Sequence, residues 1–146
     1  YHKEYSEKKN HEKKFKNLKK KKHNKIIFEQ NKYLDMAKEQ IDEYFSGKRK
    51  IFDIPLHTPG TDFQNLVWKK LIEIPYGNYK TYKEQAILID KPKAVRAVGK
   101  ANGTNRIAVI IPCHRVIGEN GKLTGYAGGL WRKQWLLDFE KENSTL

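Results

Sequence analysis

Cys113 is the only cysteine in the 146 residues, and His114 and Arg115 follow it directly. A lone cysteine is more often a small buried hydrophobe than a nucleophile, so its neighbours decide how it is read. Pro112 and the apolar run Ile107-Ala108-Val109-Ile110-Ile111 precede it, while a potential base and a cation follow. Such a setting favours the thiolate, the reactive form of the group. A basic imidazole needs a carboxylate to orient it, and the C-terminal stretch offers Asp138, Glu140 and Glu142. Spacing does not choose among the three. A cysteine hydrolase would use the same parts, so the side-chain chemistry alone leaves the reaction class open.

The elements that must position these groups follow from periodicity and punctuation. Leu34, Ala37, Ile41, Tyr44 and Phe45 fall at helical spacing before Ser46-Gly47, which predicts a helix over 33–45. An extended connector carries Pro55, Pro59 and Gly60, and Thr61 or Asp62 can cap a helix with Phe63, Leu66, Val67, Leu71 and Ile72 on its apolar face. Thr81 can cap a short helix through Tyr82, Ala86 and Leu88 that Asp90-Lys91-Pro92 breaks. A third helix is predicted from about Lys93 to Ala101, rich in small residues. Three short helices with tight turns resemble a helix-turn-helix. The β-branched run 107–111 predicts a buried extended segment that delivers Cys113 at its end. A hairpin-like turn over 118–121, a glycine-rich loop over 125–129 and a final helix over 131–140 complete the chain.

Composition changes near residue 25. Residues 1–25 hold eleven lysines and three glutamates, and the rest holds nineteen Lys/Arg against fourteen Asp/Glu, so most of the net charge of +13 lies outside the expected fold. Tracts such as 19–22 carry too little apolar area to offset the entropy of ordering, which predicts a solvated tail or a non-specific clamp on nucleic-acid phosphates. There is no apolar run of the ~18 residues that a membrane helix needs, and no signal peptide at the start. The expectation is a soluble intracellular protein with no membrane partner, cytoplasmic in a prokaryote or nuclear in a eukaryote. One cysteine excludes an internal disulfide and a cysteine-rich zinc site.

Five segments carry a resemblance. Ile74-Pro75-Tyr76-Gly77, Pro92-Lys93-Ala94-Val95-Arg96-Ala97-Val98-Gly99, Ala101-Asn102-Gly103-Thr104-Asn105, Ile111-Pro112-Cys113-His114-Arg115-Val116-Ile117-Gly118 and Thr124-Gly125-Tyr126-Ala127-Gly128-Gly129-Leu130 look like successive motifs of the O6-alkylguanine-DNA alkyltransferase family. They occur in the family's order and spacing over about 34–140. The resemblance implies an α/β, mostly α, winged helix-turn-helix-like domain over 61–146, preceded by a lysine-rich tail (1–25) and an N-terminal remnant of helix and connector (26–60). It implies Cys113 as alkyl acceptor, His114 as its water-mediated base and Glu140 as the carboxylate that orients His114. Tyr82 would donate to the departing guanine, and Val116 (by its backbone), Tyr126 and Ala127 would wall the base pocket. Arg96 would fill the space of the flipped nucleotide, with Ala97 and Gly99 allowing close approach to the minor groove. Asn105 would hinge the recognition helix to the active-site segment, and Lys83, Lys93, Lys100 and Arg106 could meet phosphates.

By the same resemblance the partner is double-stranded DNA containing O6-alkylguanine, met by a monomer without metal or organic cofactor. The nucleotide must leave the stack, at a cost of about a few kcal/mol, and the thioether product ends turnover after one event. The family usually has an N-terminal domain of mixed strands and helix, which this chain is expected to hold in short or truncated form. Ala127 stands where some members have serine. Two alternatives of other classes remain: a lesion-binding relative that does not repair, against which Cys113 argues, and a cysteine hydrolase on an unrelated fold, in which Arg96 would have no role.

Overall fold

The computed structural model describes residues 32–145. The chain divides into two units, Tyr1–Asp35 and Met36–Leu146, and every side chain considered for chemistry lies in the second. Helix α1 (Lys32–Phe45) ends where Gly47 adopts φ +79° and donates its N–H to the Tyr44 carbonyl. Its buried side chains are Gln40 and Tyr44. Gln40 exchanges two hydrogen bonds with the backbone of Asp53, at 3.1 and 2.9 Å, which pins the connector over 48–60 to the helix.

Helices α2 (Asp62–Ile72) and α3 (Tyr82–Leu88) each begin with a full capping box, Thr61 with Gln64 and Thr81 with Glu84. Helix α4 (Val95–Gly103) starts two residues later than the sequence suggests, because 91–94 close a separate turn through Ala94 N–H to the Lys91 carbonyl. Helices α3 and α4 form the helix-turn-helix pair, and both pack on α2. Val67, Leu71, Ile74, Ala86, Val98, Ala101, Ile111 and Val116 fill the space between them. Within that apolar contact Gln85 and Asn102 pair amide to amide at 3.1 and 2.7 Å, fixing the angle between α3 and α4. The Trp68 indole N–H adds a bond to the Ala101 carbonyl at 2.9 Å.

The run 107–111 is not the extended segment that its β-branched composition predicts. It is a chain of tight turns: Ile110 N–H bonds the Ala108 carbonyl, Ile111 N–H bonds the Ile107 carbonyl, and Val109 takes φ +73°. Among the described residues no strand lies beside it to pair with, and Asn105 supplies the local partners instead. A positive φ at a β-branched residue is strained, and strain of about 1–3 kcal/mol persists only where the surroundings impose it.

The described residues contain one sheet of two short parallel strands, β1 (Lys80–Thr81) and β2 (Val116–Ile117), in register Lys80 to Val116 and Thr81 to Ile117. Small as it is, this pair decides the site. Tyr82 follows β1 directly, and a 3₁₀ turn (Cys113–Arg115) leads into β2, so pairing the strands brings Tyr82 and Cys113 together. The turn over 118–122 closes through Gly118 N–H to the Lys122 carbonyl, with Asn120 and Gly121 both at positive φ. Helix α5 (Leu130–Ser144) is longer than the predicted 131–140 and buries Lys133, Leu136 and Glu140, three residues on one face. No described helix is long and apolar enough to cross a membrane.

Candidate active site

Pro112 sets the position of Cys113. Its ring holds φ near −83° with ψ 64°, and Cys113 N–H bonds the Ile111 carbonyl at 2.8 Å, an inverse γ-turn. In the 3₁₀ turn that follows, successive side chains point about 120° apart. Cys113 therefore faces a cleft of about 440 Å³, while His114 and Arg115 turn into the interior, 0% and 5% exposed.

The interior pair meets Glu140. His114 Nε2 lies 2.7 Å from Glu140 Oε1, and Arg115 donates to both carboxylate oxygens at 2.9 Å. Tyr44 Oη donates to Oε1 at 2.7 Å, and Gly77 N–H to Oε2 at 3.3 Å. Burial alone would raise the Glu140 pKa, but the bonds and charges of His114 and Arg115 outweigh it and hold the value at about 2. Glu140 is thus ionised at neutral pH and accepts a hydrogen bond from the Nε2–H of a neutral His114. Burial pushes the His114 pKa below its ordinary range despite Glu140, so the ring is unprotonated there. Its Nδ1 is buried without a partner among the described residues, which leaves it as the acceptor.

Asn105 organises the other side of Cys113. Its Nδ2 donates to the Ile111 carbonyl at 2.8 Å and to Cys113 Sγ at 3.2 Å, while its Oδ1 accepts from Ile107 N–H at 3.0 Å. Burial raises the Cys113 pKa, opposed by the Asn105 bond and the Lys133 charge. This corrects two expectations. The resting group is a thiol, and Arg115 does not assist it, because Glu140 claims its guanidinium. The cation acting on the sulfur is Lys133, which is 1% exposed and donates to Tyr82 Oη and the Thr124 carbonyl, both at 3.3 Å. Tyr82 Oη in turn donates to the Thr124 carbonyl at 3.0 Å.

Tyr82, Gly99, Asn105, Tyr126 and Ala127 line the cleft with Cys113, as do Trp131 and Trp135. Val116 does not line it: its side chain is fully buried in the core, so any part it plays falls to its backbone. Asp138 bonds Gln134 on the outer face of α5, and Glu142 is exposed, so neither reaches His114. Arg96, Ala97 and Lys100 are exposed on α4 next to the cleft. Lys93 and Arg106 are exposed as well, and Lys83 makes a loose ion pair with Glu119 at 3.9 Å.

Lys133, Tyr44 and the structural use of Arg115 were not anticipated from the sequence. Lys133 could have been found, since it shares a helical face with Leu136 and Glu140 at i, i+3 and i+7. Tyr44 lies 96 residues from its partner, and nothing local signals that.

Known proteins share this sequence and fold. Residues 62–142 fit the family model of the 6-O-methylguanine DNA methyltransferase DNA-binding domain. The chain belongs to that family. Residues 5–58 fit the model of the family's ribonuclease-like domain. That stretch includes most of the lysine-rich tail expected over 1–25, which lies outside the described residues. Among methyltransferase relatives, the methylated-DNA–protein-cysteine methyltransferase of Methanosarcina barkeri is 58% identical over 115 residues, covering 79% of this chain and 73% of that protein. The one from Mycobacterium tuberculosis is 55% identical over 108 residues, 74% of this chain and 66% of that protein, so the chain spans less than the full length of the relatives it matches. The crystal structure of Mycobacterium tuberculosis OGT in complex with DNA superposes with TM-score 0.73 at 54% identity, covering 75% of this chain and 68% of that one. Schizosaccharomyces pombe Atl1, solved with DNA containing O6-carboxymethylguanine, gives TM-score 0.51 at 30% identity over 57% of this chain and 79% of that one.

Proposed function

We propose that this chain repairs DNA directly, by moving the alkyl group of an O6-alkylguanine in duplex DNA onto Cys113 Sγ. The observation that carries this reading is Cys113 facing an open cleft while the next residue, His114, is locked to a buried, ionised Glu140. An alkylated base inside a duplex cannot present its alkyl carbon to a thiol, so the nucleotide is extruded into the cleft. The exposed Arg96, Ala97 and Lys100 face of α4 meets the DNA, and Gly99 sits at the cleft wall; Arg96 replaces the lost stacking.

The Cys113 proton passes to His114 Nδ1 through a water, the sulfur attacks the alkyl carbon, and the S–C bond forms as the bond from carbon to O6 breaks. Guanine leaves with the electron pair and is neutralised by the Tyr82 hydroxyl, which Lys133 polarises. Glu140 stabilises the imidazolium that results. The alkyl carbon is already electrophilic, so no metal or organic cofactor is required, and all the groups come from one chain, which suits a monomer. The chain then works where DNA is, in the cytoplasm of a prokaryote or the nucleus of a eukaryote.

A thioether offers water no leaving group, so each chain acts once. With a tenfold excess of a duplex carrying O6-methylguanine, repaired guanine is expected to plateau at about one equivalent per chain. Continued repair past that point would contradict the single-use reading, and none at all with retained lesion binding would identify a recognition protein.

A further inference from the structure

Glu140 carries more donors than a relay to His114 requires. Oε1 alone receives Tyr44 Oη, His114 Nε2 and an Arg115 nitrogen, and Oε2 receives Arg115 Nε and Gly77 N–H. A carboxylate has about four lone-pair sites, so these donors compete for its charge. Four of the five come from the segment around Cys113 and the loop before β1. Tyr44 comes from α1, which precedes residues 62–142 and lies within the stretch matched to the ribonuclease-like domain.

The Tyr44 ring is fully buried and held on several sides, by Phe52 at 5.6 Å, Phe139 at 5.8 Å, Tyr76 at 5.9 Å and Phe45 at 5.1 Å between centroids. Within that cage the hydroxyl donates to the oxygen that anchors His114. A phenylalanine would fill the cage equally well, so packing does not explain the hydroxyl.

We infer that Tyr44 is a positioning residue for alkyl transfer: by sharing Glu140 Oε1 with His114, it sets how strongly the carboxylate draws the imidazole proton. The inference rests on the function proposed above. It also gives the segment before the DNA-binding domain a role in the reaction, since α1 then tunes the base from outside that domain.

The sign follows from the competition. Without the Tyr44 hydroxyl, the charge on Oε1 is divided between two donors, its bond to His114 strengthens, and the imidazolium is favoured. Tyr76, Arg115 and Lys133 also bear on this pair, and all of them remain in the variant. In Tyr44→Phe the His114 midpoint, followed by imidazole NMR on the full chain, is expected to rise by about half a pH unit or more. The acid limb of single-turnover alkyl transfer should rise with it, and the rate on the high-pH plateau should be kept.

Replacing Tyr44 by 3-fluorotyrosine strengthens the donor without emptying the cage, and is expected to move both midpoints the other way. It also serves if Tyr44→Phe loses its fold. Midpoints that stay in place in both folded variants would overturn the inference and reduce Tyr44 to packing. If the unaltered protein transfers no alkyl group, the functional reading fails, and the NMR midpoints still decide for or against Tyr44.

Discussion

Replacing Glu140 by glutamine is expected to cost about 3–5 kcal/mol of stability and to slow alkyl transfer by roughly 100-fold or more at neutral pH. The stability loss comes from Arg115, whose guanidinium is 5% exposed and would keep only the Ile74 carbonyl at 2.7 Å and a glutamine in place of its counter-charge. The kinetic loss comes from His114, which would have no anion to stabilise its protonated form. Urea denaturation and single-turnover kinetics read the two effects separately. Adding Arg115→Met to Glu140→Gln removes the stranded charge, so stability is expected to recover in large part while the rate does not. Joint recovery would mean that Glu140 acts only as a structural hub.

The same group makes the fold acid-labile, with a definite window. Glu140 is held at about 2 against an ordinary 4.5, so it contributes stability above the ordinary value, and that contribution drains as pH falls from 4.5 toward 2. It amounts to roughly 3 kcal/mol. His114 is depressed from 6.5 by burial, so the folded state resists its protonation and stability begins to fall once the pH drops below that value. Glu140→Gln should lose the lower step.

Asn105→Ala is expected to be the second severe change. The side chain ties Ile107 N–H, the Ile111 carbonyl and the sulfur, and so holds the strained turn at Val109 as well as the nucleophile. Its loss should cost about 1–3 kcal/mol in stability. Removing the donor on the sulfur should raise the thiol pKa further and slow transfer by roughly 10–100-fold. The check is the pH profile. The limb governed by the thiol should move to higher pH, so that alkaline conditions recover part of the lost rate. A uniform loss at every pH would mean that Asn105 acts through the backbone alone.

These two residues also show how far the sequence could be read. Helices α1 to α4 were legible because of local signatures: the Thr61 and Thr81 caps, the glycine stop at Gly47, the break at Pro92. Asn105 and Glu140 entered through motif resemblance. The active-site segment was misread for a physical reason. β-Branched residues favour strands only where a neighbouring strand pairs with them, and here the Asn105 side chain satisfies the backbone and folds the run into turns. Arg115 was misassigned because adjacency in sequence does not mean adjacency in a 3₁₀ turn. Tyr44 was out of reach altogether, since its partner is brought to it by tertiary packing.

The central claim is that Cys113 Sγ is the alkyl acceptor. Intact-protein mass spectrometry after incubation with a duplex containing one O6-methylguanine tests it most directly. The expected result is a gain of about 14 Da, the mass that a methyl group adds in replacing a thiol hydrogen, saturating at one per chain, mapping to Cys113 and absent in Cys113→Ala. A folded protein that binds the lesion and shows no mass change, or a methyl group that persists in Cys113→Ala, would contradict the account.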